Sequence, residues 1–149
     1  MKNTYDLNML SILRCFAFVC ALFWQSAAIA DVAVITNPAA GIGSITSGIV
    51  KSIYLGKLKF WPDGSTLKVV DQAPGSDTRK LFLKKVVGKK ERKFDAYWAK
   101  KAFSGKGKAL KQLGDDADVK AWVSENKGGI GYIDADSVDE SVKVLMIVK

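Results

Sequence analysis

Leu67-Lys-Val-Val-Asp-Gln-Ala-Pro-Gly-Ser-Asp-Thr-Arg-Lys-Leu-Phe82 carries three local signals in 16 residues. Leu67 to Val70 is an apolar, β-branched run and reads as a strand. Gln72 to Thr78 holds Pro74 and Gly75, the usual chain breakers, and reads as a loop. Ser76 and Asp77 are residues of the N-cap type. Beyond them Leu81, Phe82, Lys85 and Val86 set a helical period that Gly88 ends. A strand running through a short loop into a helix is the unit from which α/β folds are assembled.

The neighbouring segments repeat the unit. Upstream, Val32 to Thr36 is a buried-strand run that stops at Asn37-Pro38. Ser44 and Thr46 are candidate caps for a helix through Ile49, Val50, Ile53 and Tyr54, closed by Gly56. Trp61-Pro-Asp-Gly-Ser65 is a turn. Downstream, a helix is expected from about Arg92 to Phe103, with Phe94, Tyr97, Trp98 and Ala102 on its apolar face. Ser104 to Lys108 reads as a flexible connector, and it lacks the Gly-x4-Gly-Lys-Ser/Thr spacing of a phosphate-binding P-loop. Asp115, Asp116 and Asp118 crowd the start of a further helix, where they complement its dipole. Gly128-Gly129 end that helix, and Ile130–Ile133 and Val142–Val148 read as strands. Strands and helices alternate, so the class is α/β.

The N-terminal 30 residues have a different character. Lys2 and Arg14 make the start positive, Cys15-Phe-Ala-Phe-Val-Cys-Ala-Leu-Phe-Trp24 is apolar, and Gln25-Ser-Ala-Ala-Ile-Ala30 ends small-x-small. That is the order of a secretory signal peptide, with cleavage expected between Ala30 and Asp31. Arg14 stops the apolar run short of the roughly 20 residues that a spanning helix needs, which favours cleavage over retention as an anchor. Neither Cys15 nor Cys20 is preceded by the small residues that lipidation needs. The expected division is residues 1–30 as signal peptide and residues 31–149 as one domain, exported to the periplasm.

Removing residues 1–30 takes away Lys2, Arg14, Asp6 and both cysteines, and leaves 119 residues with 21 basic and 14 acidic side chains. The whole chain contains no histidine. A Ser-His-Asp triad, a cysteine nucleophile and a His/Cys zinc site are therefore excluded from the remaining domain. The usual neutral-pH base is missing as well. The composition points to a binding module, not an enzyme.

The loop at residues 72–79 is the segment best suited to a ligand. A helix start leaves N–H groups without internal partners and carries partial positive charge. Ser76 and Thr78 add hydroxyl donors, Gly75 lets a ligand approach the backbone, and Arg79 adds a fork of donors. Together they make an oxyanion seat; the plainer reading is that Ser76 or Asp77 only caps the helix. Lys84, Lys85, Lys89, Lys90, Arg92 and Lys93 form a basic cluster of the kind that attracts anions, nucleic acid or acidic lipid, although such clusters are more often a solvated face. Trp61, Trp98 and Trp122 are candidates for stacking on a ligand, but Trp98 and Trp122, at helical spacing beside other apolar residues, read as core, and the Asp115–Asp118 carboxylates read as helix-start residues, not metal ligands.

Four stretches in order, Val32-Ala-Val-Ile-Thr-Asn-Pro38, Ile53-Tyr-Leu-Gly-Lys57 with Trp61, Gly75-Ser-Asp-Thr-Arg79 and Gly129-Ile-Gly-Tyr-Ile133, resemble the phosphate-type (PstS-like) substrate-binding proteins of ABC transporters. The resemblance implies a single lobe of a type 2 periplasmic-binding-protein-like fold, a mixed sheet flanked by helices, where the family's proteins have two lobes. It implies phosphate or another small oxyanion as ligand and no cofactor. An ABC permease or a second copy of the chain is the implied partner, and nucleic acid is not. The family's second lobe holds phosphate with Ser-Gly-Thr at a helix start and an Arg four residues before that Ser. Ser76 and Thr78 match the hydroxyl positions, Asp77 replaces the Gly, and Gln72 stands where the Arg would be. An added carboxylate and a lost cation both disfavour an anion. These departures favour an alternative, a ligand-free module that contacts another protein. The expected ligand-binding set is Gln72, Gly75, Ser76, Asp77, Thr78 and Arg79.

Overall fold

Strand β1 (Val32–Thr36) is buried at all five positions, because both faces of the sheet around it are covered. The computed structural model describes residues 31–149, so the signal peptide expected over residues 1–30 lies outside the described residues. The sheet has five strands in the order β3-β2-β4-β1-β5, with β2 at Lys68–Gln72, β3 at Lys111–Leu113, β4 at Gly129–Asp134 and β5 at Lys143–Val148. β1 runs antiparallel to both β4 and β5, whereas β2 is parallel to β3 and β4. The sheet is mixed, as the α/β reading expects.

Side-chain alternation along β1 divides the core. Val32 and Val34 belong to one cluster with Tyr54, Phe82, Phe94, Trp98 and Tyr132; Ala33 and Ile35 belong to another with Val70, Val119, Val123 and Ile133. The first cluster lies under three helices: α1 (Ser47–Tyr54), α2 (Asp77–Phe82) and α3 (Glu91–Phe103). The second lies under α4 (Asp116–Glu125). Gly131 is what lets α4 seat closely on β4: a Cβ there would stand 2.6 Å from Val119 Cγ1.

The caps form where the sequence reading puts them. The Thr46 and Asp115 side chains accept from Ile49 N and Asp118 N at the starts of α1 and α4. The helix read through Val86 begins as α2 and continues over Leu83–Val87 as a π-helical segment, closed by Gly88 at φ 73°. Trp61 and Trp98 are core residues, with indole N–H groups donating to Gly128 O and Tyr54 O. Trp122 is half-buried against the second cluster.

Two elements differ from the sequence reading. Lys111–Leu113, to which it assigns no strand, pairs in parallel with Val70–Gln72. Its three residues have no β pattern, and only the neighbouring strand organises them. β2 also continues two residues past Val70, so Asp71 and Gln72 are buried strand residues, not loop residues. Polar side chains can be buried there because every one of their hydrogen-bonding groups is met.

Candidate functional site

The C-terminal end of β2, the loop Ala73–Gly75 and the start of α2 form one connected polar network. At its centre Arg79 is 0% exposed. Its Nε and Nη2 donate to Asp71 Oδ2 at 3.0 and 2.8 Å, its Nη1 to Glu91 Oε1 at 2.5 Å, and its Nη2 also to Asp95 Oδ1 at 2.6 Å. The guanidinium thus reaches one carboxylate on β2 and two, an i and i+4 pair, on α3. Burial works against the Arg79 charge, but the hydrogen bonds to Asp71, Asp95 and Glu91 outweigh it and hold its pKa above the ordinary arginine value.

The other oxygen of Asp71 accepts from Tyr132 Oη at 2.5 Å and from Gln72 N at 3.0 Å. Burial, and then the Asp71 charge, push the Tyr132 phenol far above its usual range, so it stays protonated and donates. The Gln72 amide is equally committed. Its Nε2 donates to Asp116 Oδ1 at 2.5 Å and to Tyr132 O at 3.1 Å, and its Oε1 accepts from Ser76 Oγ at 2.5 Å. Ser76 Oγ in turn accepts from Arg79 N at 3.2 Å as the helix cap.

Gln72, Gly75, Ser76, Asp77, Thr78 and Arg79 therefore lie together, with different duties. Gly75, at φ 93°, takes a conformation suited to glycine, and its N–H donates to Glu91 Oε1 at 2.8 Å. Asp77 is exposed and pairs with Lys80 Nζ at 2.9 Å. Among the described residues, the N–H groups of Asp77 and Thr78 and the Thr78 hydroxyl have no acceptor. They are the donors free to meet a ligand at this end of α2. A cavity of about 330 Å³ opens between β2, β3 and α3, lined by Asp71, Arg79, Asp95, Trp98 and Gln112, and none of Gly75, Ser76, Asp77 and Thr78 lines it.

The sequence reading does not single out Asp71, Glu91, Asp95 or Tyr132. The signals were there: a carboxylate at the end of an apolar run, a Glu and an Asp four residues apart in a basic helix, and a Tyr in a buried strand. Asp116, read as a helix-start residue, also accepts from Gln72.

Glu91 gives this network a pH dependence. Burial raises its pKa, but the Gly75 N–H and then Arg79 pull harder, and the carboxyl sits below its ordinary value. A depressed folded-state pKa contributes stability that is present above the unfolded-state value and lost as pH falls through the folded one. The Glu91→Gln variant should therefore melt below the parent at pH 7, and the gap should close as pH falls below about 4. Thermal melts of both chains across pH check this, and a gap that stays constant down to pH 3 would refute it.

The pattern of the PBP superfamily domain matches residues 21–145. No curated protein matches the sequence. Among solved structures, the chain is similar to a Clostridium perfringens protein described as a phosphate ABC transporter substrate-binding protein with bound phosphate. The identity is 26%, the TM-score 0.60, and the alignment covers 78% of this chain and 45% of that one. An ABC-type phosphate transport receptor from Vibrio cholerae matches at 21% identity and TM-score 0.61, over 78% of this chain and 46% of that one. PstS from Borrelia burgdorferi matches at 16% and 0.57, over 78% and 47%; at such identities these two speak to the fold alone. The chain spans less than half the length of each of these structures.

Proposed function

The chain belongs to the PBP superfamily, and on that premise we propose that it is an exported binding protein that takes phosphate or a similar small oxyanion and serves ABC-type transport. The leader read over residues 1–30 supports periplasmic export of the domain at residues 31–149. The observation that carries the ligand assignment is the start of α2. There the unpartnered N–H groups of Asp77 and Thr78 and the Thr78 hydroxyl follow the N-cap Ser76, whose hydroxyl donates to Gln72 at the end of β2. Such a group of donors suits an anion. The likeness to a phosphate-bound protein at 26% identity supports the choice of oxyanion. In this reading the Asp77 and Thr78 N–H groups and the Thr78 hydroxyl meet the ligand, Gly75 leaves room for its approach, Ser76 and Gln72 hold the loop, and Arg79 positions the helix from below. Asp77 limits affinity by its charge. Nothing in this role calls for catalysis, a metal or a cofactor.

Thermal melts in phosphate, in sulfate and in chloride at matched ionic strength test it. Phosphate at one hundred times its Kd adds about 2.7 kcal/mol, a midpoint rise on the order of 10 °C for a domain of this size. The Thr78→Val variant should lose the rise while keeping its midpoint in chloride. An unchanged midpoint in millimolar phosphate and sulfate would remove the oxyanion from the proposal.

A second reading has its own support. Glu91 Oε1 already accepts from both Gly75 N and Arg79 Nη1, so an internal carboxylate takes donors that an anion would use. That arrangement suits a ligand-free lobe that contacts another protein, an ABC permease or a second copy of itself. Size-exclusion chromatography with light scattering tests the self-association arm, where a monomer at all concentrations would count against it.

A further inference from the structure

Four large apolar side chains are exposed among the described residues, and three of them, Leu58, Phe60 and Phe103, lie in two short segments. The segments are Lys57-Leu-Lys-Phe60 and Ala102-Phe-Ser-Gly-Lys-Gly-Lys108. Neither contains an acidic residue, and together they hold four lysines. Phe103 is 97% exposed, at the end of α3 where Gly105, at φ 68°, turns the chain back.

The two segments are held side by side. Lys101 Nζ donates to Leu55 O and Gly56 O at 2.8 and 3.0 Å, Tyr97 Oη donates to Leu55 O at 2.8 Å, and Trp98 Nε1 to Tyr54 O at 3.1 Å. The end of α3 thereby satisfies the last carbonyls of α1. A cavity of about 330 Å³ between the segments is lined by Gly56, Lys59, Trp98, Lys101, Lys106 and Lys108. Lys89, just before α3, and Lys101, near its end, both stand over the Tyr97 ring at 5.6 and 5.7 Å. From Arg79 to Gly114 there are 13 basic residues and two acidic ones, and both of those, Glu91 and Asp95, are bound by Arg79. The acidic stretch that begins at Asp115 leads into α4, on the other face of the sheet.

We propose that residues 57–60 and 102–108 form a docking surface for a membrane containing anionic phospholipid. Phe103, Leu58 and Phe60 would enter the boundary between headgroups and acyl chains, while Lys59, Lys106 and Lys108 meet the headgroup phosphates. Lysine suits that position because its stem lies along apolar surface while its charge stays at the polar layer. The exposed apolar side chains favour a lipid surface over nucleic acid or an acidic protein groove, since charge attraction alone needs no phenylalanine in solvent. The proposal does not depend on the oxyanion reading, because neither segment touches the start of α2.

Hydrogen exchange followed by mass spectrometry on the full chain tests it, with vesicles of phosphatidylcholine alone and of phosphatidylcholine with phosphatidylglycerol, at low salt. Exchange is read segment by segment, so adsorption through residues 1–30 does not mimic the effect. Slower exchange at residues 57–60 and 102–108 is expected with the phosphatidylglycerol vesicles only. The K106Q/K108Q variant should raise the lipid concentration for half-protection roughly 30-fold, about a factor of five per lysine. Phe103→Ser should raise it about tenfold, and Ile147→Ser, at the fourth exposed apolar side chain, should leave it unchanged. No slowing with phosphatidylglycerol, equal slowing with phosphatidylcholine alone, or indifference to Phe103→Ser would overturn the proposal. Slowing by polyglutamate in place of vesicles would assign the surface to an acidic protein and overturn it as well.

Discussion

Arg79→Ala is expected to cost about 3–5 kcal/mol, as removal of one partner from a buried ion pair does. A domain of this size has roughly 5–15 kcal/mol in all, so the variant should be largely unfolded near physiological temperature. The reason lies in what remains. Asp71, whose side chain is 2% exposed, keeps the donors from Tyr132 and Gln72 but loses its countercharge. Glu91 and Asp95 lose theirs too, though they sit nearer solvent. Lysine should not rescue the site: one ammonium cannot reproduce bonds from Nε, Nη1 and Nη2 to three carboxylates on two elements. The double replacement Arg79→Met with Asp71→Leu should recover part of the loss, since it leaves no buried charge unpaired at that point. Urea unfolding of the parent, the single and the double variant measures all of this. A loss under 1 kcal/mol for Arg79→Ala would show that the network is not holding the strand end and the helix together.

Phe82→Ala should cost a similar amount, about 3–5 kcal/mol, as aromatic-to-alanine changes in packed cores do. Phe82 is 0% exposed. Its ring stacks on Tyr132 at 3.9 Å and meets the Tyr54 ring edge-on at 4.7 Å. It is the apolar attachment of α2 to the sheet, one turn beyond Arg79, the polar one. Its loss would also free Tyr132, whose hydroxyl orients Asp71, so any phosphate-induced rise in melting midpoint should shrink with it. Phe82→Leu, closer in volume, should cost under about 1.5 kcal/mol. Equal losses for the two variants would mean that the stacked ring, and not the bulk that leucine keeps, carries the contribution.

The network around Arg79 joins residues that no local pattern connects. Ser76 as a cap, Gly75 in a special conformation and Thr78 at the helix start are local matters, and each follows from residue type and position. The direction of Arg79 is not local. Its guanidinium could face solvent, a ligand or the core, and it faces the core because Asp71 and the Glu91–Asp95 pair converge there from two other elements. Gln72 follows the same rule: a loop residue by its neighbours, it becomes the last strand residue once Leu113 pairs beside it.

The alternation of strands with helices, the two faces of β1, the caps at Thr46, Ser76 and Asp115, and the absence of histidine were set by the sequence alone. They depend on hydrophobic period, turn chemistry and composition, which act over a few residues. The family resemblance was legible for the same reason, because it rests on short motifs in order. Only the tertiary structure decided that Lys111–Leu113 is a strand, that Arg79 is enclosed by carboxylates, and that the end of α3 lies against Leu55 and Gly56. Each of those depends on partners between 8 and about 50 residues away, brought together by burial of the two cores, and no local pattern records which partners those will be.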